Sequence, residues 1–354
     1  MTSTEPRSRV LSGSLLATAA LAAAAMVLPT GFAVRGPGPT EDTLGSQNKV
    51  PLVEIKGART YPPSGELRLT TVSVGGGPVS DVFAADVLAA WSSPQRAVLP
   101  VETVFPVGIT QQQQQEQGQA QMTSSQESAT AAALTELGYT VRVTLTISGA
   151  PSGSPAEGIV KEGDVIRTLD GSDITTYDDL LSGLAAVTPG DDVVLGVDRD
   201  GARKNLTVTT RDGTTPDGGR RAALGVLVSS AYDFPVDVSI RIEDIGGPSA
   251  GMMFALAIID RLTPEDELRG QVVAGTGTID VDGTVGPIGG IEQKMHGALR
   301  DGATWFLAPE SNCDEVVGAV PAGLHVAKVS TLAEARHAIT AIGAGDGATL
   351  PTCS

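Results

Sequence analysis

The longest uninterrupted apolar stretch lies at the N-terminal end of the sequence. Val10 to Val34 is largely apolar, densest from Leu15 to Leu28, and has no polar face. About 20 apolar residues in a helix span a bilayer, so residues 10–34 predict a transmembrane signal anchor. Residues 1–9 before it are polar and carry Arg7 and Arg9; residues 35–49 after it are rich in Pro, Gly and polar side chains and read as a linker. Beyond that point the pattern breaks into short elements. Val50–Thr60 and Gly65–Val74 read as strands, the second with much of the period-two alternation of a half-buried strand. Val79–Trp91 reads as a helix and Ala97–Val107 as an extended stretch. Gln111–Gln121 is dominated by glutamine and reads as an exposed loop or a frayed helix. Met122–Leu137 is Ala-rich and helical, with Thr123 and Ser124 available as caps.

From Tyr139 to about Arg211 the pattern is mostly β. Val141–Leu145 alternates, a short helix falls near Tyr177–Ala186, and Asp200-Gly201 sits between two alternating runs as a hairpin turn. Asp212–Arg221 is polar and Gly-rich, a second linker. Ala222–Ile242 reads as two strands. The run Met252–Ile259 is apolar on every side, which predicts a buried helix. Ile279–Val285 reads as a hairpin, Ile291–Arg300 as a helix, and Trp305–Leu307 and Leu324–Val329 as buried strands. Thr331–Ile342 is a last helix, with Thr331 as cap and Glu334 placed for a capping box.

Charge narrows the possible partners. The formal net charge is −17 and the pI near 4.5, which excludes a nucleic-acid ligand held by basic patches. Arg7 and Arg9 flank the apolar run on its N-terminal side, placing that end in the cytoplasm and the rest outside. Two readings stand: an uncleaved anchor, or a signal peptide cut after Gly31-Phe32-Ala33. In an oxidising compartment the even pair Cys313 and Cys353 invites a disulfide, worth about 4 kcal/mol for a loop of that length. Two independent thiols are the alternative.

Candidate chemistry gathers at Gly246-Gly247-Pro248-Ser249-Ala250-Gly251. Glycines permit a sharp turn, and Ser249 is expected at the positive end of the buried helix, where an oxyanion is stabilised. A serine that merely caps a core helix has the same pattern. None of His296, His325 and His337 falls in a Ser-His-Asp pattern. On the helix from Ile291, the residues Ile291, Met295, Ala298 and Leu299 form an apolar stripe with Lys294 at its edge; Glu292, Gln293, His296 and Arg300 lie on the other side. A lysine drawn into the core loses solvation, its pKa falls, and its neutral amine can take a serine proton. Alternatively Lys294 runs along the stripe with its charge in water.

Two resemblances add to this reading. Ser154-Pro155-Ala156, Gly163-Asp164-Val165-Ile166 and Asp170-Gly171 resemble the bacterial PDZ domains of envelope proteases, which implies that residues 139–212 bind extended chain ends by strand addition, with Tyr139–Val143 as the carboxylate-binding loop. A small β-domain acting only as a spacer is the alternative. Gly247-Pro248-Ser249-Ala250-Gly251, Gly275-Thr276-Gly277-Thr278-Ile279, Gly283–Gly290, Lys294 and Ala303–Pro309 resemble the proteolytic domain of Lon peptidases. The layout resembles the YlbL-like family of PDZ-containing Lon-like peptidases. That likeness implies an α+β fold in which a Lon-type domain (50–138 and 222–342) is interrupted by the PDZ domain, preceded by one transmembrane helix and followed by a tail at 343–354. It implies Ser249 as nucleophile, Lys294 as general base and Thr276 as the residue orienting the lysine, with no cofactor and no metal. Where many Lon proteases carry an acid three residues before the serine, this chain has Gly246; Glu243 and Asp244 are out of register. No nucleotide-binding Gly-x-x-x-x-Gly-Lys-Ser/Thr loop occurs. The expected protein is therefore an ATP-independent, membrane-anchored extracytoplasmic serine endopeptidase acting on protein or peptide substrates, and homo-oligomers follow by analogy. A non-cleaving PDZ adaptor and a peptidase that processes only itself are the alternatives.

Overall fold

A computed structural model describes residues 5–47, 49–78, 80–214, 220–242 and 245–354, without the side chains of 5–13, 22, 177, 178 and 214. The chain divides into two compact units, Met1–Leu137 with Val236–Ser354, and Gly138–Pro235.

The first unit is built on a six-stranded sheet of β1 (Phe32–Asp42), β2 (Glu66–Gly75), β3 (Ala97–Pro100), β4 (Val272–Gly275), β5 (Trp305–Pro309) and β6 (His325–Val329), in the order β6-β5-β4-β2-β1-β3. β6, β5, β4 and β2 run parallel; β1 pairs antiparallel with β2 and β3. Helices α1 (Glu5–Met26), α2 (Gln111–Glu136), α3 (Gly251–Leu262), α4 (Ile291–Arg300) and α5 (Leu332–Ala344) belong to the same unit. The apolar run is α3, buried on every side from Gly251 to Asp260. It sits in the main core with Leu67, Leu69, Ala129, Ala133 and Ile339. Ile291, Met295 and Ala298 of α4 belong to a second cluster with Phe306 and Val326. Among the described residues, then, the serine motif is attached to the most buried helix of the unit and Lys294 to an amphipathic one.

Several sequence expectations for this unit change or are decided. Residues 35–49, read as a linker, carry most of β1. Its composition hides it, because Pro37 and Pro39 flank a bulge where the register to β2 shifts between Pro37 and Thr40. The apolar segment 10–34 is not one helix. α1 ends at Met26, and Ala33 is fully buried in β1 opposite Leu99, so a cut after Ala33 would fall inside a core strand. Among the described residues no helix is long and apolar enough to cross a membrane; residues 1–4 lie outside the described residues, as do the side chains of Arg7 and Arg9. Of the two readings of the glutamine segment, loop or frayed helix, the helical one holds. α2 starts at Gln111, with Thr110 Oγ1 accepting from the Gln113 N–H at 3.2 Å and Gln113 Oε1 accepting from the Thr110 N–H at 2.9 Å. At α5, Thr331 caps as expected, but Glu334 Oε2 accepts from the N–H and hydroxyl of Ser330, one residue early for a capping box.

The second unit is a β-sheet module with one helix, Tyr177–Ala185. Its sheet runs Ala202–Thr209, Asp192–Arg199, Val165–Leu169, Arg142–Gly149, Leu227–Asp233, with Ser172–Asp173 paired to Val165–Leu169. Leu145, Ile147, Ile166, Leu195 and Val197 fill its core. Asp164 is fully buried and Arg199 clamps it through two nitrogens at 2.6 Å, which holds its carboxyl below the usual carboxylate range. The sheet does not stop at 212. Leu227–Asp233 pairs along Arg142–Gly149, so the unit reaches Pro235 and the Lon-like part resumes at Val236 rather than 222. Residues 215–219 of the expected linker lie outside the described residues.

Candidate active site

The serine loop is shaped by its contacts. Gly247 takes φ +89°, a conformation that favours glycine, and its N–H donates to the Gly118 carbonyl of α2 at 2.9 Å. Ser125 Oγ, about two turns further along α2, donates to the Pro248 carbonyl at 3.0 Å. Ser249 lies just before the N-cap Ala250, so it precedes α3 rather than forming part of its first turn. The Ser249 carbonyl accepts from the Gly277 N–H and from Thr276 Oγ1, both at 2.9 Å. The Met252 N–H, an orphan donor of the helix start, goes to the Gly277 carbonyl at 3.1 Å. Glycine fits at 251 without strain, whereas a Cβ would stand 2.8 Å from both Ile279 Cγ2 and Ser125 Oγ and force one of them to shift.

Lys294 enters from α4, whose N-cap Gly290 has φ +74°. It is 2 % exposed, and its Nζ donates at 2.9 Å to Ser249 Oγ and at 2.9 Å to Thr276 Oγ1. The Thr276 proton is already committed to the Ser249 carbonyl, so this fully buried hydroxyl presents only lone pairs to the amine. Burial, with a smaller contribution from the Arg35 charge, lowers the Lys294 pKa to about 7. Arg35 is itself held by donating to Gln293 Oε1 at 3.1 Å. Gln293 is 1 % exposed, against the helical projection that put it on the polar side. Ser249 and Lys294 open into a cavity of about 560 Å³ whose walls include Thr70–Ser73 of β2, Met122, Gly246–Ala250 and Pro287–Gly289. Sequence gave no sign of the brace behind Ile288: its N–H donates to Asn312 Oδ1 and its carbonyl accepts from Asn312 Nδ2, each at 2.9 Å.

The remaining candidates lie apart from this cavity. Cys313 and Cys353 are joined in a disulfide, which ties residues after α5 to the segment following β5. Glu243 and Asp244 lie outside the described residues. Tyr139–Val143, expected to capture chain ends, borders a strand already paired on both sides, to Leu227–Asp233 and to Val165–Leu169. Among the described residues the edge strands of that sheet are Leu227–Asp233 and Ala202–Thr209. No group of three or more metal-ligating side chains occurs among the described residues.

A serine, a buried lysine and a threonine hydroxyl brought together by a parallel-sheet domain define a candidate Ser-Lys hydrolase site. Residues 236–340 match the Lon protease (S16) C-terminal proteolytic domain, and residues 118–210 match the PDZ domain. The chain thus carries a Lon-type serine-peptidase domain and a PDZ domain, the combination found in YlbL-like peptidases. It is 41 % identical over 81 residues to Lon protease 2 of Herpetosiphon aurantiacus, covering 22 % of this chain and 10 % of that protein. It is 31 % identical over 146 residues to Lon protease 1 of Bacillus subtilis, covering 38 % and 19 %. A crystal structure of the PDZ domain of an SdrC-like protein from Listeria monocytogenes aligns at 14 % identity over 24 % of this chain and 85 % of that one, with a TM-score of 0.21. The chain spans between about a tenth and a fifth of the length of the curated relatives it matches. The PDZ match begins inside α2 and stops before Leu227–Asp233, so its limits differ from those of the folded unit at both ends.

Proposed function

We propose that this protein is a serine endopeptidase that uses a Ser249–Lys294 dyad. The observation that carries the reading is the 2.9 Å contact between Lys294 Nζ and Ser249 Oγ, made by a lysine whose pKa burial brings to about 7. At neutral pH a large fraction of the amine is uncharged. The contact then reverses: Ser249 Oγ–H donates to the Nζ lone pair, while Nζ keeps donating to Thr276 Oγ1. Oγ attacks the scissile carbonyl as its proton passes to Lys294. The carbonyl oxygen gains a negative charge, for which the N–H groups of Ser249 and Ala250 are available; neither donates to another group among the described residues. Lys294 then gives its proton to the departing amine. Water, deprotonated by the same lysine, releases the acyl group and restores Ser249.

The finer features have their own support. The steps above need only Ser249, Lys294 and water, which supports cleavage without ATP. The disulfide supports an oxidising, extracytoplasmic compartment. The apolar residues of α1, with Leu15, Leu16 and Leu21 each 72 % exposed, support attachment to a membrane at that end. The PDZ unit supports recruitment of chain ends by strand addition, with the open edge Leu227–Asp233 as the receiving strand. The test is hydrolysis of an unfolded protein such as casein by the full chain. Ser249→Ala is expected to abolish it with the fold retained; equal cleavage by the variant sinks the proposal.

A further inference from the structure

The catalytic cavity continues past Ser249. At Met122, Ile245, Gly246 and Gly247 it meets a second depression of about 1190 Å³ that follows α2. Phe105 and Ile109 stand at one side of that depression, and Ile240 and Ile242 also line it. Glutamines of α2 also line it. Gln114 is engaged, donating to the Val104 carbonyl at 3.0 Å. The amides of Gln115, Gln119 and Gln126 make no hydrogen bond among the described residues and remain open to a ligand. Among the described residues the lining carries one charged side chain, Arg241, and that is paired with Glu54 at 3.0 Å; Glu243 and Asp244, between the lining residues Ile242 and Ile245, lie outside the described residues.

We propose that this depression is an extended subsite that holds the unfolded polypeptide flanking the scissile bond, gripping its backbone rather than its side chains. The proposal rests on the peptidase reading above. Each glutamine amide offers a carbonyl acceptor and two N–H donors, the complement of a peptide N–H and C=O whatever residue carries them. The apolar side chains of Phe105, Ile109, Ile240 and Ile242 admit substrate side chains without requiring a particular one. The depression meets the serine loop itself, so a chain lying in it leads directly to Ser249. The stretch of α2 from Gln111 to Gln126 is about 22 Å long at helical rise, the reach of roughly six or seven extended residues. α2 also braces the loop, because Gly118 accepts the Gly247 N–H.

The test compares a five-residue and a twelve-residue fluorogenic peptide, both neutral and sharing one scissile sequence. In the full chain, Gln115, Gln119 and Gln126 are replaced together by alanine, which preserves helix propensity. The ratio of kcat/KM for the long peptide to that for the short one is expected to fall about tenfold, through KM. An unchanged ratio overturns the proposal, including the case in which both values drop equally because the brace has loosened. Gln126→Glu is a second probe: it should raise the preference for a lysine-containing long peptide over the neutral one, and no change in preference counts against the subsite. Binding separates this proposal from the peptidase reading. Fluorescence anisotropy of the labelled twelve-residue peptide on the Ser249→Ala protein should show a Kd about tenfold weaker once the three alanines are added. If the wild-type protein cleaves neither peptide but that difference persists, the peptidase reading fails and the subsite stands; if the difference is absent, the subsite is refuted.

Discussion

Replacing Lys294 by methionine removes an ammonium that folding takes out of water while leaving a side chain of similar length. Burial moves the Lys294 pKa from 10.5 to about 7. The folded protein therefore binds this proton less tightly than the unfolded chain does. Below pH 7 both states are protonated, and the folded state carries the full penalty, about 5 kcal/mol for a drop of that size. Between pH 7 and 10.5 the unfolded chain binds more protons, so stability rises with pH. Integrated from pH 7 to 9, this one group adds roughly 2 kcal/mol. The methionine variant keeps every other titrating group and lacks this gain. Urea denaturation of both proteins at pH 7 and pH 9 measures it directly. The wild-type increment should exceed that of Lys294→Met by roughly 2 kcal/mol, and the variant should be the more stable protein at pH 7. Equal increments would refute the claim that burial neutralises the lysine.

Three further outcomes follow from the packing and the covalent frame. Gly251→Ala puts a methyl 2.8 Å from Ile279 and Ser125 at the start of a fully buried helix, so denaturation should show a loss of about 1–3 kcal/mol, with peptidase activity falling as the serine loop shifts. Changing Cys313 and Cys353 together to serine opens a 40-residue span, and the chain-entropy model puts the loss near 4 kcal/mol, readable as a lower urea midpoint. Replacing residues 138–235 by a short Gly/Ser linker should preserve hydrolysis of a small fluorogenic peptide and remove most activity on a protein substrate; loss of both in a folded protein would make the module structural or activating.

How much of this was legible depended on whether the information was local. The helix α4 was read with both of its ends, and Lys294 at the edge of its stripe, because a 3.6-residue period states its own geometry. The serine turn announced itself through glycines confined to a few positions. β1 was missed because a strand is credited by alternation, and Phe32–Asp42 has two prolines and two glycines. Their reason is visible only against the partner strand: a Cβ at Gly38 would run into Thr71. For Gln111–Gln121 the choice between loop and helix stayed open, because its helical state depends on the Thr110 cap and on contact with a loop more than 100 residues away. The site's supports were illegible for the same reason. Arg35, Ser125, Gln293 and Asn312 come from four separate segments, and only the folded chain puts them behind the serine, the lysine and Ile288.

The central claim is that a neutral Lys294 makes Ser249 nucleophilic. Labelling of the full chain with a serine-directed phosphonate, read by peptide mass spectrometry across pH 5 to 9, tests it most directly. The label should fall on Ser249, its rate should rise with a midpoint near pH 7 as Lys294 loses its proton, and Lys294→Met should lose the reaction while remaining folded. Labelling at another serine, or an unchanged rate in Lys294→Met, would contradict it.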